Sequence, residues 1–249
     1  MSEAEAYSRL AGVYDEIVVD PCYPLWADFL QRTWSADPGG VNTILDLCCG
    51  TGLMDAELID RGFSVQGVDA SQAMLDRARQ LLGPDIPLLN ETLPSLSVDG
   101  VFDAVISTMD GLNYLSPTDF HASIAAVTSR LRPEGWLVFD LHTDAMLEFA
   151  AAHPVIDGSD AGTNFVLENT VDLIARTCDS RITVTRESDG DTFVETHRQY
   201  FHADKEVLAA LTNAGFVNVQ VFDEYTSVRA TSTTLRATWV ARTQAAADG

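Results

Sequence analysis

A short glycine-rich segment carries the residues of this sequence that are best suited to chemistry. Residues 45–52 read LDLCCGTG, and Val68-Asp69 ends the next apolar stretch, with Asp69 17 residues after Gly52. In an open parallel sheet, ligands bind beyond the carboxyl ends of the strands, where a glycine turn admits the backbone and an acidic residue on the second strand binds ribose hydroxyls. The spacing therefore predicts a nucleoside site.

The same segment indicates which kind of nucleoside would bind. A dinucleotide fingerprint has the form GxGxxG, whereas here Gly50 and Gly52 are followed by Asp55 in place of the third glycine. Asp55 lies near a predicted helix N-terminus, where a pyrophosphate would sit and a carboxylate would repel it. A nucleoside with a zwitterionic amino-acid tail fits better, because Asp46 could accept a hydrogen bond from its ammonium while backbone N–H groups face its carboxylate.

Four tracts of the sequence together share the pattern of one enzyme family. They are ILDLCCGTG (44–52), GVDAS (67–71) with Met74-Leu75, FDAV (102–105) and RLRPEGW (130–136). In this order they resemble the motifs of the class I S-adenosylmethionine-dependent methyltransferases, and the similarity covers most of the chain. The resemblance implies S-adenosylmethionine as the cofactor and methyl transfer as the reaction.

The resemblance assigns the methionine and ribose contacts. Asp46, Gly50 and Gly52 would hold the methionine part of the cofactor, and Asp69 would hold the ribose hydroxyls. Cys48 stands where the family usually has its first glycine. For Asp69 the alternative is that its carboxylate only caps the neighbouring helix.

The adenine and sulfonium contacts follow in the same way. Ala70 and Met74 would line the adenine, Glu91 would accept a hydrogen bond from the adenine amino group, and Ser107 would lie near the sulfonium. A solvated Glu91 and a Met74 that only fills the core are the alternatives. The predicted cofactor residues are Asp46, Cys48, Gly50, Thr51, Gly52, Asp69, Ala70, Met74, Glu91, Thr92 and Ser107.

The candidate catalytic residues follow the fourth and fifth predicted strands. Methyl transfer from a sulfonium is an in-line displacement, so positioning and exclusion of water can contribute up to about 7–11 kcal/mol. A base is needed only where the acceptor must lose a proton, and His142 is the best single candidate because a histidine is largely neutral at pH 7. Asp110 and Tyr14 complete the catalytic set. A structural histidine that bonds to the backbone remains the alternative for His142.

The acceptor contacts are predicted from several segments that would meet at the cofactor. AGVYD (11–15), LNYL (112–115) and FDLH (139–142) resemble a bacterial subgroup of small-molecule methyltransferases. The predicted insertion after the fifth strand is similar to the segment from which sugar N-methyltransferases of antibiotic pathways and glycine-type N-methyltransferases build acceptor pockets or oligomer contacts. Amphipathic packing of the tyrosines and a solvated sheet face for the later residues stay open as alternatives, as does a homodimer. The predicted acceptor contacts are Tyr7, Tyr14, Asn113, Tyr114, His142, Arg176 and His197.

The elements that must position these residues alternate between strand and helix. Strands are predicted at 43–47, 64–69, 86–90, 102–107 and 136–141, with helices between them, including one over 120–131, which is typical of a parallel sheet with right-handed crossovers. A helix over 205–214 and strands over 217–222 and about 234–241 follow, joined too closely for a crossover helix, which favours an antiparallel final pair. We predict an α/β fold: a Rossmann-like seven-stranded methyltransferase sheet with helices on both faces, an N-terminal helical cover and an antiparallel β insertion as a lid.

Two segments are predicted to cover the cofactor edge of the sheet. The first is helical from Glu3 to about Trp34, interrupted at Pro21 and Pro24, because Tyr7 and later apolar residues recur at helical spacing. The second, over 164–200, alternates β-branched stretches with a turn at 188–191 and reads as antiparallel strands. The predicted regions are therefore a helical cover (1–40), a cofactor-binding core (41–143 and 204–249) and an inserted lid (144–203).

The net charge of the chain disfavours some classes of binding partner. The chain has 249 residues, with 15 Lys and Arg against 37 Asp and Glu, for a formal net charge of −22. Nucleic acid and anionic membrane surfaces would be repelled, because binding to either depends on basic groups. The sequence shows no leader pattern, no run of about 18 apolar residues and no CxxC pair. We expect a cytoplasmic protein with reduced thiols and a small-molecule acceptor, without nucleic-acid or membrane partners.

These observations favour methyl transfer to N or O of a small metabolite. An amine, as in an amino sugar, an amino acid or a natural-product intermediate, ranks first because no metal cluster and no Lys-based catalytic pair accompany the cofactor motifs; no metal is predicted. An NAD(P)-dependent oxidoreductase shares the strand–glycine loop–helix start, but the third glycine and a Tyr-x-x-x-Lys pair are absent from the sequence. A non-catalytic nucleoside-binding protein would keep Asp46 and Asp69 and stays open.

Overall fold

Eleven strands form two separate sheets in the computed structural model, which describes residues 6–17, 22–160 and 162–246. One sheet has seven strands in the order β10-β11-β5-β4-β1-β2-β3, and the other has four in the order β6-β7-β8-β9. The strands are β1 (Thr43–Leu47), β2 (Ser64–Asp69), β3 (Leu88–Asn90), β4 (Phe102–Ser107), β5 (Leu131–His142), β6 (Val155–Asp160), β7 (Thr163–Asp172), β8 (Thr177–Arg186), β9 (Thr192–Tyr200), β10 (Phe216–Asp223) and β11 (Arg236–Thr243).

Strands β1 to β5 of the larger sheet pair in parallel, and the last two strands close it in the opposite direction. Strand β1 pairs with both β2 and β4, and β11 runs antiparallel to both β5 and β10. The predicted α/β sheet of seven strands with an antiparallel closing pair is therefore confirmed. The carboxyl ends of β1, β2 and β4 meet at one edge, which is where the glycine turn and Asp69 lie.

The helices cover both faces of this sheet, because successive side chains of a strand point to opposite sides. Leu45 packs in the layer that contains Phe120, whereas Ile44 packs in the layer that contains Leu30. The helices are α1 (Tyr14–Ile17), α2 (Tyr23–Trp34), α3 (Leu53–Asp60), α4 (Gln72–Leu82), α5 (Pro117–Thr128), α6 (Asp144–Ala152) and α7 (Asp204–Asn213), with 3₁₀ turns at Leu10–Gly12 and Gly111–Tyr114.

The N-terminal cover differs from the predicted helix. Residues 6–17, here called the strap, contain a 3₁₀ turn and the four-residue helix α1, and Tyr7 has a positive φ of 64°. A tertiary contact accounts for the difference: the Glu195 carboxylate on β9 accepts hydrogen bonds from the backbone N–H groups of Tyr7, Arg9 and Leu10. The predicted start at Glu3 and the break at Pro21 lie outside the described residues. Helix α2 is present, with Pro24 in its first turn, where proline is tolerated.

Other boundaries also differ from the sequence pattern. Strand β5 begins at Leu131, so α5 ends earlier than predicted, and β3 is shorter than the predicted 86–90. The antiparallel strands begin at Val155, and α6 precedes them although no helix was predicted there. Strands β7, β8 and β9 pair antiparallel as predicted. The division of the chain at residues 40, 143 and 203 stays a prediction.

The four-stranded sheet packs against the strap. Val184 and Phe193 of this sheet form a small apolar cluster with Leu10 and Val13 of the strap. Burying side chains of this size contributes about 1.5–3 kcal/mol each. The four-stranded sheet β6 to β9, here called the lid, is thus joined to the strap above the edge where β1, β2 and β4 end. Within the described ranges, no helix combines the length and the apolar character needed to cross a membrane.

Candidate active site

A cavity of about 350 Å³ lies at the carboxyl ends of β1, β2 and β4, between the main sheet and the strap. Its volume falls within the range of small-molecule sites in proteins. Ten of the residues predicted from the sequence line it: Tyr7, Tyr14, Cys48, Gly50, Thr51, Asp69, Ala70, Met74, Thr92 and Tyr114. The sequence motifs and the strap therefore meet at one site.

The turn after β1 adopts a backbone that suits glycine. Gly50 and Gly52 have φ values of 56° and 81°, and Cys48, in place of the usual first glycine, also has a positive φ, of 59°. A Cβ on Gly111 would lie 2.6 Å from the Cβ of Cys48, so the cysteine fits only because a glycine faces it. Burial raises the pKa of the Cys48 thiol, which keeps it protonated and unreactive at neutral pH.

Gly52 serves packing and does not itself line the cavity, so its contact with the methionine part stays a prediction. A Cβ at this position would lie 2.9 Å from Leu82 Cδ1 and 3.2 Å from the Cβ of Ala78. Gly52 therefore allows α3 to start close to α4. The resemblance identified a required glycine, but its requirement comes from the protein interior.

Asp69 holds the glycine turn and the start of α4 together. Its Oδ2 accepts a hydrogen bond from the N–H of Gly50 at 2.9 Å, and its Oδ1 accepts one from the N–H of Ser71 at 2.7 Å. Burial raises the pKa of Asp69, and these two hydrogen bonds oppose the increase. A carboxylate oxygen can accept more than one hydrogen bond, so both oxygens can also receive ribose hydroxyls.

Asp46 is buried beside Asp55 and does not line the cavity, so its contact with an ammonium group stays a prediction. Both side chains are almost fully buried, and none of their four carboxyl oxygens has a hydrogen-bond partner among the described residues. Burial and repulsion by Asp55 raise the pKa of Asp46, and burial raises the pKa of Asp55 to about 6. The pair packs below the glycine turn, where a Cβ on Gly67 would lie 3.2 Å from an Asp55 oxygen.

The charges at the cavity fit a cationic cofactor. Among the described lining residues, Asp69 is the only charged one, and none is Lys, Arg or His. A pyrophosphate would need basic partners or a free helix N-terminus, whereas a sulfonium is attracted by aromatic faces such as those of Tyr7, Tyr14 and Tyr23. The half-buried Asp69 carboxylate and the aromatic lining therefore fit S-adenosylmethionine better than a dinucleotide.

Four polar side chains form a hydrogen-bonded chain that starts at the cavity and ends in the lid. The hydroxyl groups of Tyr7 and Tyr114 lie 2.7 Å apart, and the Tyr114 hydroxyl lies 2.8 Å from Nδ1 of His197. His197 Nε2 lies 3.0 Å from Glu195 Oε2, the same carboxylate that holds the strap backbone. Burial would raise the pKa of Glu195, but hydrogen bonds from His197 and the strap lower it to about 2.

Comparisons with known proteins agree with this geometry. Residues 44–135 match a model of the methyltransferase domain. The chain is 30% identical to the putative methyltransferase YqeM of Bacillus subtilis strain 168, over 88% of this chain and 90% of that protein. The chain belongs to the class I S-adenosylmethionine-dependent methyltransferases. This membership decides against an NAD(P)-dependent oxidoreductase and against a non-catalytic nucleoside-binding protein.

Solved structures share the fold of this methyltransferase. A S-adenosylmethionine-dependent methyltransferase from Clostridium acetobutylicum ATCC 824 superimposes with a TM-score of 0.83 at 22% identity, over 96% of this chain and 99% of that one. The sugar N-methyltransferase KedS8 from Streptoalloteichus sp. ATCC 53650 superimposes with a TM-score of 0.75 at 18% identity, over 98% and 96% of the two chains. Both likenesses extend through the lid as well as the main sheet.

Two predicted cofactor contacts of the methyltransferase lie away from the cavity. The Glu91 carboxylate accepts hydrogen bonds from the backbone N–H and the hydroxyl of Ser97, which keeps it in its own loop. The Ser107 hydroxyl is buried behind Gly111, whose Cβ would lie 3.5 Å from it. Thr108 and Met109 line the cavity at this point instead.

The predicted catalytic residues Asp110 and His142 belong to an ionic network beside the cavity. Asp110 accepts hydrogen bonds from Arg236 at 3.0 Å and from Gln199 at 2.7 Å, and His142 Nε2 lies 3.5 Å from Asp110. Burial lowers the pKa of His142, although Asp110 opposes the decrease. Neither residue lines the cavity of the methyltransferase, because the ion pair with Arg236 on β11 holds Asp110, and with it His142.

Two further predicted acceptor contacts tie elements of the methyltransferase together. The fully buried Asn113 donates to the carbonyl of Tyr200 and accepts from the N–H of His142. Arg176 donates to the carbonyl of Phe201 at 2.7 Å and pairs with Asp144. His197 does not line the cavity, but its Nδ1 bonds to the hydroxyl of Tyr114, which does.

Sequence reasoning missed several residues of the site. Tyr23, Met54 and Met109 line the cavity, and Glu195 fixes the strap. The three lining residues come from segments without a motif. Glu195 lies in an alternating strand in which buried and exposed positions take turns, and a carboxylate at a buried position of that strand is the one signal that could have pointed to it.

Proposed function

We propose that this methyltransferase moves the methyl group of S-adenosylmethionine to the nitrogen of a small-molecule amine. Amino sugars, amino acids and amine intermediates of natural products are the acceptor classes in view. When bound, the cofactor supplies an electrophilic methyl group on a sulfonium. The observation that carries the proposal is the chemical state of the tyrosines that line the cavity.

Three of the tyrosines that line the cavity, Tyr7, Tyr14 and Tyr114, are neutral phenols at physiological pH. Burial raises the pKa of Tyr7, Tyr14 and Tyr114 well above the ordinary value for tyrosine. A neutral phenol can accept a hydrogen bond from an N–H group, and its ring attracts a cation, but it cannot remove the proton of an alcohol. An amine needs only its free lone pair to react, so these groups suit a nitrogen acceptor.

His142, the best candidate base, is unsuited to activate a hydroxyl acceptor. Its ring is stacked on Phe201 with 6.0 Å between centroids, and Asp110 lies against its Nε2. With its pKa lowered by burial the ring is neutral, but a base must come within about 3 Å of the atom whose proton it removes, and His142 does not line the cavity. This supports nitrogen over oxygen as the methylated atom.

Charge favours the same class of acceptor. The chain carries a formal net charge of −22, and a field of this sign attracts cationic amines and repels polyanions. We therefore propose a small-molecule acceptor and neither nucleic acid nor a membrane as partner. That KedS8, a sugar N-methyltransferase, shares the fold is consistent with this choice.

Matched pairs of acceptors that differ only in the reacting atom test the proposal. Glucosamine with glucose, and glycine with glycolate, are incubated with the purified protein and S-adenosylmethionine, and methylated products are identified by mass spectrometry. We expect methylation of at least one amine and of neither hydroxy partner. Methylation of a hydroxy compound without its amine counterpart, or of none of the four, would contradict the proposal for these acceptor classes.

A further inference from the structure

The chain from Glu195 to Tyr7 is continuous, and Glu195, which forms its end in β9, was not predicted as a site residue. Its three side-chain contacts measure 3.0, 2.8 and 2.7 Å. Glu195 is 2% exposed and His197 is 3% exposed. The chain joins the lid, the turn after β4 and the strap, and its far end is formed by two tyrosines that line the cavity.

The donors and acceptors of this chain can be assigned from one end. Glu195 accepts hydrogen bonds from three strap N–H groups, which identifies it as an ionised carboxylate that can only accept. Nε2 of His197 must then carry the proton, and in a neutral imidazole Nδ1 is left as an acceptor. The Tyr114 hydroxyl therefore donates to Nδ1, and the Tyr7 hydroxyl donates to the oxygen of Tyr114. The proton of Tyr7 is thus directed away from the cavity.

We propose that Glu195 and His197 are positioning residues that fix the direction of this chain, so that the phenol oxygen of Tyr7 accepts a hydrogen bond from the methyl acceptor. The inference rests on the proposed function and narrows its substrate class. An amine that accepts the methyl group must offer its free lone pair to the sulfonium and an N–H bond to Tyr7. Primary and secondary amines meet both conditions, whereas a neutral tertiary amine has no N–H bond.

The direction of the chain can be measured without any acceptor. Long-range proton–nitrogen NMR spectra of the full chain resolve the tautomers of its five histidines, and the His197 signals are identified by their loss in His197→Gln. We expect His197 to be protonated at Nε2 and not at Nδ1 at pH 7.5. A proton on Nδ1 would overturn the proposal, whatever the activity of the protein.

A pair of substitutions tests the consequence for catalysis. His197→Phe keeps a ring but breaks the chain, whereas His197→Gln can still donate to Glu195 and accept from Tyr114. We expect His197→Phe to lower kcat/KM for the methylated amine by about ten- to one-hundredfold, and His197→Gln to keep most of it. His202→Phe replaces another buried histidine, stacked on Phe120 outside the chain, and should leave kcat/KM within about twofold.

Controls separate this effect from a loss of structure. The dissociation constant for S-adenosylhomocysteine and the unfolding temperature are measured for each variant, and kinetics use glycine, sarcosine, dimethylglycine and glucosamine as probes. Unchanged kcat/KM in His197→Phe, equal losses in both His197 variants with cofactor affinity intact, or methylation of dimethylglycine would overturn the proposal. If the unaltered protein methylates none of the amines, the proposed function fails, and the tautomer of His197 still decides the direction of the chain.

Discussion

Replacing Asp69 by Asn should weaken cofactor binding while leaving the size of the side chain unchanged. Each Asp69 oxygen already accepts one backbone hydrogen bond, at 2.9 Å from Gly50 and 2.7 Å from Ser71. Asn keeps one side-chain oxygen, so its NH₂ group must face one of these two N–H donors. The substitution also removes the negative charge that would hold the ribose hydroxyls. Leaving such buried partners unsatisfied costs about 1–3 kcal/mol, or about 5- to 150-fold in the dissociation constant.

Calorimetric titration with S-adenosylhomocysteine measures this loss. Glu91→Gln is the matched control, because Glu91 is bonded to Ser97 and lies away from the cavity, so its affinity should stay within about twofold of the unaltered protein. Thermal unfolding of each variant without ligand checks that the fold is kept. Unchanged affinity in Asp69→Asn would refute the assigned ribose contact, and a larger loss in Glu91→Gln would restore Glu91 as an adenine contact.

Three further substitutions probe the site and its support. Gly111→Ala should reduce cofactor affinity and stability by about 1–3 kcal/mol each, because the new Cβ would lie 2.6 Å from the Cβ of Cys48. The double variant Gly111→Ala/Cys48→Gly should recover most of both losses, measured by calorimetric titration and by urea denaturation. The pKa of Glu195 is lowered to about 2 in the folded chain, below the unfolded value of about 4.3. Ionised Glu195 therefore stabilises the fold above pH 4.3, and this contribution is lost as the pH falls toward 2. In urea denaturation, Glu195→Gln should lower the free energy of unfolding by about 2–3 kcal/mol at pH 7 and by progressively less below pH 4.3. The pKa of Asp55 is raised to about 6 in the folded chain, so its contribution to stability is present below about pH 4 and is lost as the pH rises through 6. Asp55→Asn should therefore flatten the decline in the free energy of unfolding between pH 4 and 7.

Each of these expectations has a contrary result. An additive loss in the Gly111–Cys48 double variant would show that the two residues do not clash. A stability difference for Glu195→Gln that is constant from pH 7 to pH 3 would remove the ionised carboxylate from the account. The exposed Asp99→Asn serves as the control for Asp55, and equal slopes for both variants would contradict the raised pKa of the buried Asp55.

The fold and the cofactor turn could be predicted because their signals are local. Strand β1, the glycines after it and Asp69 at the end of β2 lie within one continuous stretch, and the polar step from Asp69 to Ser71 marks a helix start. The antiparallel closing pair followed from the short connection between β10 and β11. In these places the local pattern and the tertiary structure agree.

The strap and the acceptor side could not be predicted because distant residues decide them. Tyr7 has helical spacing to Leu10, but Glu195, 188 residues further along the chain, takes the N–H groups that a helix would use. Asp46 has the sequence of a cofactor contact, but its carboxyl group is buried beside Asp55 and does not line the cavity. His142 follows strand β5 as a base would, yet the ion pair of Asp110 with Arg236 holds it beside the cavity.

A direct titration of the purified chain with S-adenosylhomocysteine and, separately, with NADH tests the central claim. An aromatic cavity whose charged lining group is the Asp69 carboxylate should bind one S-adenosylhomocysteine per chain and give no heat of binding with NADH. Binding of NADH, or the absence of any uptake of S-adenosylhomocysteine, would contradict the account.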